Sequence, residues 1–303
     1  MGLFTYDDAS RREDLLSILR DVSPVADNWL TTHLGTSTSK NTVHEWPVFN
    51  ISRPTSITFT AEGADFADEA NPQPTRSSNF TAIITRAVRV SGTERAIDTA
   101  THEDAMSFQM KNALRKLKAD MEYAILNGGG KVSGASGTAR QMAGINLVIS
   151  TNLTARSSGT SMSTTELEDI VQNSWDAVGS EFVGDLLLCP MGIKRKIATF
   201  TTRVQPYQED KMGVFNNVQV YESSSGNVKI VPHKDVINAT GSTHVYLLRE
   251  ELYKMSFLKG REPAFKQLST VGDAERGHYI TELTLESAAE RASVKRLGYA
   301  LTG

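Results

Sequence analysis

The sequence predicts an α+β fold, and three observations carry that expectation. One long amphipathic helix runs over 102–127. Segments of strand composition lie before it and, in greater number, after it. No internal repeat imposes a regular alternation of strand and helix, so helices and strands should segregate into their own layers.

The elements follow in chain order. Ser10 with Glu13 has the spacing of a capping box, and Leu15, Leu16, Leu19 and Val22 then recur at helical intervals as far as Pro24. Residues 23–43, rich in Ser, Thr and Asn with scattered Trp29, Leu30 and Leu34, read as an extended arm that depends on neighbours for burial. Val43–Ile51, Ile57–Thr60 and Phe80–Val90 have strand composition. Between the last two, Glu62–Asn79 has almost no large apolar side chain except Phe66, which predicts a long β-hairpin with a polar, projecting tip. A two-stranded ribbon of this kind is marginal in water and must pack on something.

The helix over 102–127 opens at Thr101 and Asp104 and carries Met106, Met110, Ala113, Leu114, Leu117, Met121 and Ile125 on one face. Lys111, Arg115, Lys116, Lys118, Asp120 and Glu122 fall on the outer face. At 1.5 Å per residue it is a rod of roughly 38 Å, ended by Gly128-Gly129-Gly130. Residues 128–163 read as loop with a short apolar stretch at Gly144–Ile149, and a domain boundary is expected near 160. Beyond it come a helix opening at Thr164 or Thr165, a buried strand Phe182–Cys189, a helix Met191–Phe200 started by Pro190, and a small hairpin from Val218–Tyr221 and Val228–Val231. Short β-like runs close the chain at Val245–Leu248, Tyr253–Leu258, Ala264–Leu268, Tyr279–Leu285 and Ala292–Leu301, which could return to a sheet beside the long helix.

Composition excludes several classes. The 303 residues hold 32 Lys plus Arg against 35 Asp plus Glu, a net charge of -3, so no strong basic field grips nucleic acid. Charged Asp7, Asp8, Arg11, Arg12, Glu13 and Asp14 stand where a secretory signal would need an apolar run, and nothing approaches the roughly 18 apolar residues of a membrane span. The single cysteine, Cys189, forbids an intrachain disulfide and fits a reducing compartment.

Each motif for chemistry fails at a required position. His44-Glu45 and His102-Glu103 would begin a zinc-protease motif, but Val48 and Met106 replace the second histidine. Gly128-Gly129-Gly130-Lys131 lacks the Ser or Thr after Lys and the earlier Gly of a phosphate loop, with Val132 and Ile125 in those places. Gly134-Ala135-Ser136-Gly137 is followed by Thr138 where a nucleophile elbow needs Gly. The acidic residues Glu62, Asp65, Asp68 and Glu69 lack the order of a calcium loop, and Lys194-Arg195-Lys196 reads as a solvated helix face. No catalytic residue, cofactor or metal ligand is assigned, and the chain is expected not to be an enzyme; a two-domain α/β enzyme is the remote alternative.

The order of elements, with particular stretches, resembles the tailed-bacteriophage major capsid proteins of the Hong-Kong-ninety-seven-type fold. The stretches are Asp21-Val22-Ser23-Pro24, His44-Glu45-Trp46-Pro47, Ser91-Gly92-Thr93-Glu94-Arg95, Ala113 to Gly128, Arg140-Gln141-Met142-Ala143-Gly144, and Glu282 to Glu286. The resemblance implies an N-terminal arm over 1–43 and an extended loop over 44–92. It implies a peripheral domain over 93–163 and 244–303 around a spine helix 102–127, and an axial domain over 164–243. It further implies a subunit of an icosahedral shell of hexamers and pentamers around a double-stranded DNA genome. Portal and scaffolding proteins, and in some relatives a decoration protein, would be its partners, with non-specific DNA contact, no membrane, and synthesis and assembly in a bacterial cytoplasm. Candidate intersubunit contacts are then Asp65, Phe66, Asp68, Glu69 and Arg76 on the loop and Trp29, Leu30 and Leu34 on the arm. A cellular nanocompartment shell of the same fold, encapsulin-like, is the near alternative.

Overall fold

The computed structural model describes residues 28–51, 53–57, 59–65, 72–97, 104–200, 220–239, 242–270 and 272–300. The expected helix after Ser10, and the site candidates Phe66, Asp68 and Glu69, lie outside them. The described chain begins with a short helix α1 (Trp29–His33) and strand β1 (Gly35–Ser39). A hairpin follows as β2 (Val43–Val48) and β3 (Thr75–Phe80), paired antiparallel from Val43 opposite Phe80 to Val48 opposite Thr75; its return strand, Arg76 included, lies in the stretch expected to form the polar tip, because pairing with β2 supplies hydrogen bonds that composition does not reveal. Two further details differ from the sequence expectation. Ile57 and Phe59 lie outside any strand, because among the described residues no facing strand offers the hydrogen bonds that their β-prone composition could use. The run Phe80–Val90 is divided at Thr81, where the chain leaves the hairpin and enters β4 (Ala82–Ser91).

After a single turn α2 (Gly92–Ala96) comes α3 (Ala105–Asn127), the spine of the fold. Its cap is Asp104 itself: the carboxylate accepts from the Met106 and Ser107 amides at 3.1 Å each, which places the first helical residue three beyond the expected start at 102. Gly128 ends it where β5 (Gly129–Val132) begins to pair with β6 (Gln141–Ala143). Gly128 must be glycine, since a Cβ there would sit 2.5 Å from the Met142 carbonyl. The glycine-rich stretch is therefore more ordered than a loop; it continues into α4 (Ile145–Val148) and β7 (Leu153–Thr160).

Then follow α5 (Thr164–Val178), capped by Ser163, β8 (Leu186–Cys189), α6 (Met191–Ile197), β9 (Val220–Ser223) and β10 (Gly226–Pro232). The helix after Pro190 closes at Ile197, three residues short of the expected end. The late strands are β11 (Asn238–Ala239), β12 (Ser242–Leu248), β13 (Tyr253–Leu258), β14 (Ala264–Leu268), β15 (Ala274–Ser287) and β16 (Val294–Tyr299). They do not all return to one sheet. β13, β14 and β15 join β1 and β4, whereas β12 and β16 enter a second sheet ordered β7-β16-β12-β8-β10-β9.

The central strands β8 and β12 of that second sheet are buried on both faces. Strand side chains alternate, so Leu186 and Leu188 of β8, with Tyr246 and Leu248 of β12, point to a core shared with α3 and the first sheet. Leu187 and Cys189, with Val245 and Leu247, point to the other core, filled by Leu167, Ile170 and Val171 of α5 and Ile193 and Ile197 of α6. This is why Leu186–Cys189 reads as a continuous apolar run rather than an alternating one.

Candidate functional site

The hairpin is held to the body at its root by polar side chains buried on both sides. Asn79, 2% exposed, uses its whole amide: Nδ2 donates to the carbonyls of Ala143 and Leu285, both at 3.0 Å, and Oδ1 accepts from the Phe80 and Ala143 amides, also at 3.0 Å. The Trp46 indole donates to the Ser287 carbonyl at 2.7 Å. His44 Nε2 lies 3.1 Å from Glu286, which also accepts from the Ser37 hydroxyl at 3.1 Å. Beneath them the buried Glu282 carboxylate accepts from Thr81 at 2.7 Å and from Arg140 at 2.5 Å, and pairs with Arg261 at 3.4 Å. A buried charge is tolerated only when so satisfied. The stretches 44–47, 140–144 and 282–286, far apart in sequence, thus meet at one place.

Beyond β2 the hairpin opens into a loop that exposes apolar side chains the sequence reading placed in strands. Phe49, Ile51, Ile57 and Phe59 are 54%, 71%, 75% and 86% exposed. Burying such a side chain is worth roughly 1.5–3 kcal/mol, so four on one loop leave substantial free energy uncollected by the isolated chain. Beside the hairpin lies a cleft of about 1620 Å³ lined by Trp46, Phe49, Ile51, Leu147, Trp175 and Phe182, larger than small-molecule pockets and of a size for polypeptide. Asp65 is exposed on the same loop, and Arg76 on β3 is an exposed side chain 3.6 Å from Glu45.

The arm residues sit differently from expectation. Leu30 and Leu34, 0% and 4% exposed, pack in their own chain's core with Leu117 and Met121 of α3 rather than against a neighbour. Trp29 stacks on His33 with ring centroids 4.2 Å apart, and the Lys229 ammonium stands over its ring at 4.9 Å. The residue responsible is Glu122, which helical periodicity placed on the outer face. It is fully buried: its carboxylate accepts from the Leu30 and Thr31 amides at 2.6 and 2.7 Å and meets His233 Nε2 at 2.7 Å. Because His233 Nδ1 accepts from the Asp235 amide at 3.1 Å, Nε2 carries the proton and donates it to Glu122. Asn28 makes no side-chain cap for α1, so a carboxylate from another helix supplies the cap that the local sequence lacks. The signal was present in Leu126, buried four residues after Glu122, where the apolar stripe of α3 widens.

Cys189 is buried between strands, and desolvation pushes its thiol up to about 12 against a small opposing effect of Lys194. Among the described residues no cluster of three or more His, Cys, Asp or Glu could hold a metal, and no helix is long and apolar enough to cross a membrane.

Comparison with known proteins decides the family. The family model of the SU10 major capsid protein matches residues 3–299. The chain belongs to that family. It is a structural capsid protein of the virion, not an enzyme, and its family function is a shell built from copies of itself. No curated protein matches by sequence. Solved structures share the fold: the capsid of an empty GTA particle, at 12% identity and TM-score 0.67, covers 99% of this chain and 100% of that one. The capsid of Myoviridae phage XM1, at 10% identity and TM-score 0.60, covers 94% and 96%. The SrpI encapsulin of Synechococcus elongatus, at 12% identity and TM-score 0.61, covers 100% and 98%. This capsid subunit therefore has the phage capsid fold that the order of its elements suggested, and its exposed loop belongs to a chain that assembles with itself.

Proposed function

We propose that the protein forms the hexamers and pentamers of an icosahedral shell enclosing the double-stranded DNA genome of a tailed phage. One observation supports the reading above the rest: a loop with four exposed large apolar side chains projects from a hairpin whose root is fastened by buried polar contacts. Such a loop is rigidly aimed at its base and unsatisfied at its tip, which suits a subunit that lays it on a neighbour. In this reading 1–43 is the arm, 44–92 the extended loop, 93–163 with 244–303 the peripheral domain and 164–243 the axial domain. Asp65, Phe66, Asp68, Glu69 and Arg76 lie in the intersubunit contact zone. Portal and scaffolding proteins, and a decoration protein where one exists, are the partners, and assembly takes place in the bacterial cytoplasm. The near-neutral charge fits a lumen that contains DNA through weak, non-specific contact.

The test is the double variant Ile57→Asp with Phe59→Asp. It should purify as a folded chain with unchanged circular dichroism and melting, yet form no closed particles; normal shells from it would remove the loop from the interface. An encapsulin-like nanocompartment is the second reading, favoured by a likeness covering 100% of the chain. The content of purified particles separates the two, a genome for the virion and protein cargo for the compartment.

A further inference from the structure

Between β7, α5 and β16 lies an open polar pocket of about 290 Å³, lined by Arg156, Asp169, Gln172, Asn173 and Arg296. Its two guanidiniums are treated unequally. Arg156 takes both nearby carboxylates, with Nε 3.0 Å from Glu166 and Nη2 3.5 Å from Asp169, and Glu166 also accepts from the Tyr299 hydroxyl at 2.9 Å. Arg296 is 3% exposed yet makes one weak hydrogen bond among the described residues, Nη2 to the Asp169 carbonyl at 3.5 Å. That carbonyl already accepts from Asn173 at 2.7 Å, and Arg296 Nε has no partner.

A guanidinium has five N–H donors and does not lose its charge in proteins. Burial, the largest influence on Arg296, works against that charge and Arg156 adds to it, while Tyr299, Glu166 and Asp169 favour it from nearby. Neither carboxylate pairs with Arg296 directly among the described residues, so a buried guanidinium keeps most of its donors unused, which is costly. The walls of the pocket add the amides of Gln172 and Asn173, and its mouth holds the half-exposed Asp169, whose charge Arg156 offsets.

We infer that this pocket is an oxyanion site completed on assembly, Arg296 pairing there with a carboxylate side chain of a second copy of the chain. The pocket adjoins β7, the edge strand of its sheet, where another copy can approach. A net charge of -3 leaves every copy with carboxylates in excess of cations. The inference rests on the self-assembly proposed above.

The experiment compares wild type, Arg296→Met and Arg296→Lys by thermal melting of the unassembled full chain and by light scattering during assembly, each with inorganic phosphate or with chloride at matched ionic strength. If the site waits for a partner, Arg296→Met melts higher than wild type as a free subunit and loses shells, because a buried charge with unused donors has been replaced by an apolar chain. Phosphate then raises the melting temperature of wild type but not of Arg296→Met and slows wild-type assembly by competing for the pocket, while Arg296→Lys retains part of both responses. A lower melting temperature for Arg296→Met with normal assembly overturns the inference, since the arginine is then an internal structural group. A phosphate response with unaltered assembly overturns the second copy as occupant and leaves free phosphate. Failure of wild type itself to form particles counts against the self-assembly reading, while the melting arm still reports on the pocket.

Discussion

Glu122 holds the arm segment at the scale of a single side chain, and its replacement should show as much. Glu122→Gln retains the shape but offers one acceptor oxygen and turns an amide toward a donor. It should cost about 2 kcal/mol, with faster hydrogen exchange at the Leu30 and Thr31 amides and unchanged exchange in β8. Asn79→Ala leaves the Ala143 and Leu285 groups unpaired beneath the hairpin and should destabilise the chain by about 3 kcal/mol in urea unfolding. His244 gives the pH dependence. It is buried at β12, 3.0 Å from the Tyr246 hydroxyl and near Lys295, whose ammonium donates to the Asn146 carbonyl; desolvation first, and that ammonium second, push its pKa down to about 4. The unfolded chain takes up a proton near the ordinary value of 6.5 while the folded chain stays neutral, so the penalty is absent above pH 6.5 and grows as pH falls to about 4. Up to about 3 kcal/mol is lost over that window, and a His244→Gln variant should show a flatter melting temperature between those limits. None of these three roles is legible in sequence, because each rests on partners as far as 206 positions away or on burial that periodicity does not report.

Elements were legible where the pattern is local. The spine helix and the strands β13 and β14 lie where spacing and composition place them; β8 begins at Leu186, four residues after the expected Phe182, and is continuous in apolar residues because it serves two cores. Leu117, 0% exposed at the middle of α3, tests the spine directly: Leu117→Pro removes a helix bond and a core side chain, should cost well over about 3 kcal/mol, and should yield insoluble chain on expression. The projecting loop shows the converse. Ile57 and Phe59 alternate as a strand would, but strand formation needs a partner that the described residues do not supply, and so composition alone misassigned them. The late strands likewise read correctly as strands while their distribution over two sheets depends on pairing between segments distant in sequence, Leu153 of β7 with Lys295 of β16 and Gly35 of β1 with Lys254 of β13.

The whole molecule is a capsid subunit with well-filled cores and an uncovered apolar loop, and its fold was readable mainly through the order of its elements rather than through any single motif. The surfaces were not, since an interface leaves its mark as exposure in one copy and appears in the sequence only as apolar residues without a periodic role. Everything proposed about the loop, the cleft and the Arg156–Arg296 pocket assumes that copies of this chain close upon one another. Electron microscopy of the purified full-length chain tests that most directly. Closed polyhedra, tubes or capsomer rings are the result this structure predicts, and a monodisperse monomer or dimer that stays dispersed when the chain is concentrated with a co-expressed scaffolding protein would contradict it.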